Sequence, residues 1–312
     1  MTATAVMNLK GGPGKTFVVG GLAHAHAAKA EAAAPRGGAG AAPPPHPAPS
    51  AGRAAGAPAG SAAADTPEDQ EGNADDAVLI GDMDPQGNTT RHLTGYHIKN
   101  VPPTGTMADV LDRRVSTELP DVVLPAKTRD RIFVAPSGFD QMQEVQDTLL
   151  GQTGGELSVR KAFKAAKSQG RVLFDTRPAV DLVTRATMLA SDNLVIVVTP
   201  ELDAIDGMLA VFKALEDLEK HMDYVLPLVG VVVNQVDGSR NDHAQGLEYI
   251  RSYCASSGIQ VLGEPFPRAA DISRLTNAGL GMDQHTRPTA KSRFWAENFA
   301  IILDAIDKEA AA

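Results

Sequence analysis

Lys10-Gly11-Gly12-Pro13-Gly14-Lys15-Thr16 brings two lysines, three glycines and a hydroxyl together between an apolar run at 3–8 and a helix-like stretch at about 15–29. Glycines this close let backbone N–H groups converge on an anion. The following helix start adds its positive dipole end, Lys15 a cation and Thr16 an oxygen for Mg²⁺. This is chemistry for holding the phosphates of a nucleotide. The common spacing G-x-x-x-x-G-K-[ST] would need glycine at position 9, where Leu9 stands, with Lys10 next to it. Pro13 has no N–H to offer a phosphate and contributes shape only.

Three further segments follow strand-like runs. Asp82-Met83-Asp84-Pro85-Gln86-Gly87-Asn88-Thr89-Thr90 comes after residues 77–81 and presents two carboxylates one residue apart, then a chain-turning proline. Asp175-Thr176-Arg177-Pro178 comes after 171–174, and Asn234-Gln235-Val236-Asp237 after the apolar run 229–233. Phosphoryl transfer depends mainly on positioning and charge neutralisation, which carboxylates serve well. An Asn amide both donates and accepts, matching the edge of adenine, although Asn and Asp also suit plain turns.

The loop at 10–16 resembles the deviant Walker A loop of the ParA/MinD superfamily, and Asp82 to Asn88 resembles that family's D-x-D-P-Q-G-N segment. Asp175-Thr176-Arg177-Pro178 is similar to its D-x-P-P, Phe266-Pro267-Arg268 to its I-P-R, and Thr199-Pro200-Glu201 to its P-x-x-P-E. The resemblance runs from Thr4 to Asp304, interrupted by one Ala/Pro-rich tract. It implies a Mg²⁺-dependent ATPase in which Lys10 reaches across a dimer to the partner's nucleotide. Gly11, Gly12, Pro13, Gly14, Lys15, Thr16 and Phe17 would border the phosphates. Thr16, Asp82 and Asp175 would hold Mg²⁺, Asp84 would orient the attacking water with Lys10 and Lys15 completing the catalytic set, and Asn234 and the backbone at Pro267 would border the base. Phe17 stands where the family has Thr or Ser, and so offers no hydroxyl contact there. Arg177 replaces a proline; it could bind phosphate, pair with Asp175 or Asp181, or face solvent, and a structural ion pair is the expectation.

The elements that must position these residues read as short apolar strands alternating with helices: strands at 131–135, 171–174, 194–199, 228–234 and 260–262. The expected fold is α/β, a doubly wound, mostly parallel sheet flanked by helices, of the P-loop NTPase type with a deviant Walker A loop. One domain is expected over 1–312, interrupted at 31–76 by an Ala/Pro/Gly-rich stretch read as a disordered insertion at the sheet edge away from the nucleotide. That tract reads as a tolerated insertion, or else as a tether for a partner.

Composition narrows the alternatives. A net charge of −9 argues against an overall basic coat, leaving local patches such as Arg268, Arg274, Lys291 and Arg293 for non-specific contact with DNA phosphates. The single Cys254 excludes an internal disulfide or a cysteine-held cluster and is expected to pack in the interior. His24 and His26, two apart on a helix, cannot form an i, i+4 metal pair. The absence of a leader or a membrane-length apolar run suggests a cytoplasmic, nucleoid-associated protein with no membrane partner. A ParA-type DNA-partitioning ATPase is the leading reading: an ATP-bound homodimer binds DNA non-specifically, and a ParB-type centromere-binding protein stimulates slow hydrolysis. The alternatives are a MinD-like positioning ATPase, disfavoured by the acidic face of the tail at 294–312, and a nucleotide-switched regulator with negligible hydrolysis.

Overall fold

The computed structural model describes residues 2–33 and 77–311. In chain order its elements are β1 Ala3–Met7, α1 Lys15–Ala33, β2 Val78–Asp82, α2 Asn88–Thr94, α3 Met107–Leu111, α4 Leu119–Val122, β3 Leu124–Pro125, β4 Ile132–Ala135, α5 Gln141–Leu150, α6 Ser158–Ala162 and α7 Lys164–Gln169. They continue with β5 Arg171–Asp175, α8 Leu182–Ala190, β6 Asn193–Val198, α9 Leu202–Met222, β7 Leu228–Val233, α10 Asn241–Ser256, α11 Ala270–Ala278 and α12 Ala290–Ala311.

The strands form one sheet in the order β3-β4-β2-β5-β1-β6-β7. Every pairing is parallel except that of β3 with β4, which is antiparallel. The doubly wound, mostly parallel expectation holds. All residues of β1, β5 and β6 are buried, as continuous apolar strands covered on both faces must be. Alternate residues point to opposite faces. Val6 therefore joins the core beneath α1 and α12, while Ala5 and Met7 join the one beneath α8 and α9. From α12, Trp295, Phe299, Ile302, Leu303 and Ile306 enter the first of these cores, each contributing about 1.5–3 kcal/mol.

Two expectations need correction, and one strand was not anticipated. Residues 260–262 make only an isolated parallel bridge, Val231 with Val261, because the chain turns at Gly263 and Glu264 donates its N–H to Asn298 of α12. The edge strand β3 went unread; it is two residues long and ends in Pro125, a residue tolerated at a sheet edge. Glu31, Ala32 and Ala33, assigned to the insertion, are the last turn of α1: alanine favours helix, and Arg129 clasps both carboxylate oxygens of Glu31 at 2.9 and 2.8 Å. The rest of that tract, 34–76, lies outside the described residues.

Candidate nucleotide and magnesium site

Parallel pairing brings the chemistry to one edge of the sheet. Val6 pairs in register with Asp175, and Asp82 with the same Asp175, so the carboxyl ends of β1, β2 and β5 lie side by side. The phosphate loop leaves β1 there. Gly12 and Gly14 have φ of +92° and +93°, a region that L side chains rarely adopt. A Cβ on Gly14 would also stand 2.1 Å from Asn234 Nδ2.

Behind the loop, Asn8 ties three elements together. Its Nδ2 donates to Val197 O at 2.8 Å and Ala204 O at 3.1 Å, and its Oδ1 accepts the Lys10 N–H at 2.7 Å. Helix α9 comes this close because Gly207 lacks a Cβ, which would meet Asn8 Oδ1 at 2.3 Å. Asn234 Nδ2 and Gln235 Nε2 hold the loop from the other side, donating to Pro13 O and Gly12 O, each at 2.8 Å. In this structure the Asn234 amide is thus engaged with the loop. Pro267 continues the wall beyond β7 through its bridge to Val236, with Arg268 N–H donating to Val236 O at 2.9 Å.

Lys15, the first residue of α1, is buried. Its one hydrogen bond among the described residues goes to Asn8 O at 3.3 Å. Burial lowers its pKa, with the charges of Asp175 and Asp84 pulling the other way. A buried ammonium with three donors and one distant acceptor fits an anion arriving beside it. The first amides of α1, at Lys15, Thr16 and Phe17, have no intrahelical acceptor and add to that field.

The carboxylates beneath the loop are deeply buried. Asp175 Oδ2 accepts from Thr16 Oγ1 and Thr89 Oγ1, both at 2.7 Å, while Oδ1 is buried without a hydrogen-bond partner among the described residues. Asp82 Oδ2 accepts from Thr90 N at 2.8 Å and Thr90 Oγ1 at 2.7 Å. Burial pushes Asp82 well above the usual carboxylate range, and the neighbouring charge of Asp175 pushes it further. Burial raises Asp175 too, against the pull of Lys15. An unpartnered oxygen of a carboxylate whose other oxygen holds two hydroxyls, with a second carboxylate as its register partner on the next strand, is a donor set that suits a hard, oxygen-seeking cation such as Mg²⁺. Asp84 is half-buried; its Oδ1 accepts the Gln86 N–H at 2.9 Å and its carbonyl accepts from Ser137 Oγ at 2.6 Å.

The structure gathers Gly11, Gly12, Pro13, Gly14, Lys15, Thr16, Asp82, Asp84, Asp175 and Asn234 around this edge. Phe17 departs: its ring is buried against Phe266 and Phe299, with centroids 5.2 and 5.1 Å away, leaving only its backbone for the loop. Lys10 Nζ pairs with Asp203 Oδ2 at 2.6 Å. Arg177 pairs with Asp181 at 2.7 Å and donates to Gln146 Oε1 at 3.0 Å, the structural ion pair expected of it. Sequence reasoning missed Asn8, Thr89, Thr90 and Gln235. Thr89 and Thr90 stood in the Asp82 segment with a signal to find them, since two adjacent hydroxyls follow two acids. Asn8 and Gln235 had none.

A family profile described as an AAA domain matches residues 72–227, half of the chain, beginning beyond the loop. The chain is 29% identical to the cell division protein PomZ of Myxococcus xanthus over 178 residues, 57% of this chain and 54% of PomZ, so it spans about half the length of that relative. It is 27% identical to the sporulation initiation inhibitor protein Soj of Bacillus subtilis over 205 residues, 65% of this chain and 76% of Soj. Among solved structures, the ATP complex of a Cyanothece McdA variant superposes with a TM-score of 0.71 at 17% identity, covering 98% of this chain and 96% of McdA, a likeness of fold. With the phosphate loop, the paired acids and the sheet order already described, these matches place the chain in the ParA/Soj/MinD family of deviant Walker A ATPases.

Proposed function

We propose that this protein is an ATP-dependent DNA-partitioning ATPase, acting in the cytoplasm on the nucleoid. The observation that carries the reading is the Thr16–Asp175–Thr89 cluster with its unpartnered Asp175 Oδ1 beside the buried, under-bonded Lys15. ATP would lie with its phosphates on residues 11–17 and its base near Asn234 and Pro267. Thr16, Asp82 and Asp175 would hold Mg²⁺, which neutralises phosphate charge when bound. Asp84, at the mouth of this acid cluster, would orient the attacking water. Lys10 would cross to a second copy's nucleotide in an ATP-bound homodimer, and a ParB-type centromere-binding protein would stimulate slow hydrolysis.

Arg268, Arg274, Lys291 and Arg293 are exposed and supply cations for sequence-independent contact with DNA phosphates. The second reading, an ATPase that positions proteins or membrane-bound partners, draws on the likeness to a protein named for cell division. Against its membrane form, the apolar face of α12 is buried in the core, and among the described residues no helix is long and apolar enough to cross a membrane.

The test is binding to a non-specific DNA duplex with ATP, with ADP and without nucleotide, across a salt series, alongside Asp84→Ala. ATP-dependent, salt-sensitive binding that Asp84→Ala retains or strengthens supports partitioning. DNA binding in no nucleotide state, with ATP binding intact, overturns it in favour of the second reading.

A further inference from the structure

His243 lies in the first turn of α10 and is 1% exposed. Its Nδ1 accepts the backbone N–H of Asp237 at 3.1 Å, which puts the proton of the neutral ring on Nε2. That Nε2 is buried and has no hydrogen-bond partner among the described residues. It stands 3.7 Å from Glu201 Oε1, just outside hydrogen-bond reach. Of the charged groups nearby, Arg240 pairs with Asp242 and comes within 3.8 Å of Glu201, and the Asp237 side chain accepts from Ser239.

The two segments that flank this imidazole grip the phosphate loop from opposite ends. Residues 234–237 hold Pro13 O and Gly12 O through Asn234 and Gln235. Glu201 is the residue before α9, whose first turn carries Asp203 on Lys10 and Ala204 on Asn8. The helix bearing His243 is seated directly on this second segment: a Cβ on Gly246 would stand 2.1 Å from Pro200 O. Across this seam His243 Nε2 at 3.7 Å and Arg240 Nη1 at 3.8 Å both come within 4 Å of Glu201 Oε1, and of the two it is the imidazole that is buried.

We propose that His243 is a positioning residue that couples residues 234–237 to the start of α9, its Nε2–H closing on Glu201 when Lys10 leaves Asp203 for a second copy's nucleotide. This rests on the ATP-dependent dimer proposed above. It assigns to the His243–Glu201 pair the task of making the grip on Gly12 and Pro13 sense whether Lys10 is held in its own chain.

The experiment measures ATP-dependent dimerisation by sedimentation, ATP affinity of the monomer at protein concentrations below dimerisation, and melting temperature, on the full chain. His243→Leu should weaken the dimer about tenfold with monomer ATP affinity unchanged, and His243→Gln, which keeps a donor near Nε2, should restore it to within about threefold. Glu201→Ala, at a half-exposed residue that folding tolerates, should reproduce the leucine effect, and the double variant should be no worse than either single one. Equal losses with Gln and Leu, additive effects at the two positions, or a parallel fall in monomer ATP affinity would overturn the coupling. No ATP-dependent dimer in the unsubstituted chain would overturn the underlying reading, and the coupling with it.

Discussion

Lys10 Nζ lies 2.6 Å from Asp203 Oδ2, so the lysine that opens the phosphate loop is held by the first turn of α9 in its own chain. Both side chains are open to solvent, 46% and 72% exposed. The hydrogen bond and the charge of Asp203 raise the Lys10 pKa, so the lysine stays cationic throughout the neutral range. An exposed pair of this kind holds weakly and exchanges readily.

Asp203→Asn should therefore release Lys10 at little cost to the fold. The expected outcome is an ATP-dependent dimer at about two- to fivefold lower protein concentration, with an unchanged melting temperature. Sedimentation across a concentration series reads this directly. An unchanged dimerisation midpoint would mean that Asp203 does not restrain Lys10.

Asp175→Asn separates the binding role of the acid cluster from its effect on stability. Asp82 and Asp175 are register partners on adjacent strands, and burial raises both pKa values, so two carboxylates strain the fold when no cation is present. The amide should leave the nucleotide-free protein as stable or more so, while Mg²⁺-supported ATP affinity falls about 10–100-fold. Denaturant unfolding and Mg²⁺ titrations with a fluorescent ATP analogue are the paired measurements. Loss of stability without loss of Mg²⁺ dependence would place the metal elsewhere.

Phe17→Thr restores the residue type usual in the family and should nonetheless destabilise this chain. Phe17 is buried between Phe266 and Phe299, and those two rings also touch each other at 4.8 Å. Removing the ring opens a cavity at the base of α1 and costs about 3–5 kcal/mol. Calorimetry showing an unchanged or raised melting temperature would contradict the packing account.

His24 supplies a pH dependence with a definite sign. It is 3% exposed in α1, and burial together with the adjacent Arg129 lowers its pKa to about 4, against the opposing pull of Asp283 and Glu31. The folded state therefore binds the imidazole proton less well than the unfolded state does. The contribution is full above the ordinary value of about 6.5 and is lost as pH falls from there towards 4, on the order of 3 kcal/mol in all. Unfolding free energies from pH 7 to 4 should fall less steeply for His24→Gln than for the unsubstituted chain. Parallel curves would mean that the ring is hydrated in the folded state.

Much of the site was legible because its chemistry is local. The loop at 10–16 needs consecutive glycines, a lysine and a hydroxyl; Asp82 and Asp175 each end a strand whose apolar run leads to them, and Asp84 follows two residues after the first. Parallel strands covered by helices leave one edge for such residues, so position in the pattern predicted position in space. The structural pairing of Arg177 with Asp181 was legible for the same reason, the two residues being four apart in the loop that leads into α8.

What the sequence determined by itself is the list of groups and the edge at which they meet, because glycine freedom, apolar strand patterning and acid placement act over a few residues. Only the tertiary structure decided which groups are still available there. It turned Phe17 into the core because two distant rings, Phe266 and Phe299, converge on it, and it engaged the Asn234 amide with Pro13 O. It set Lys10 on Asp203, 193 residues away in the chain, and left Asp175 Oδ1 and His243 Nε2 without partners among the described residues. Contacts between residues so far apart depend on how whole elements dock, and residue order alone does not encode that docking in any short window.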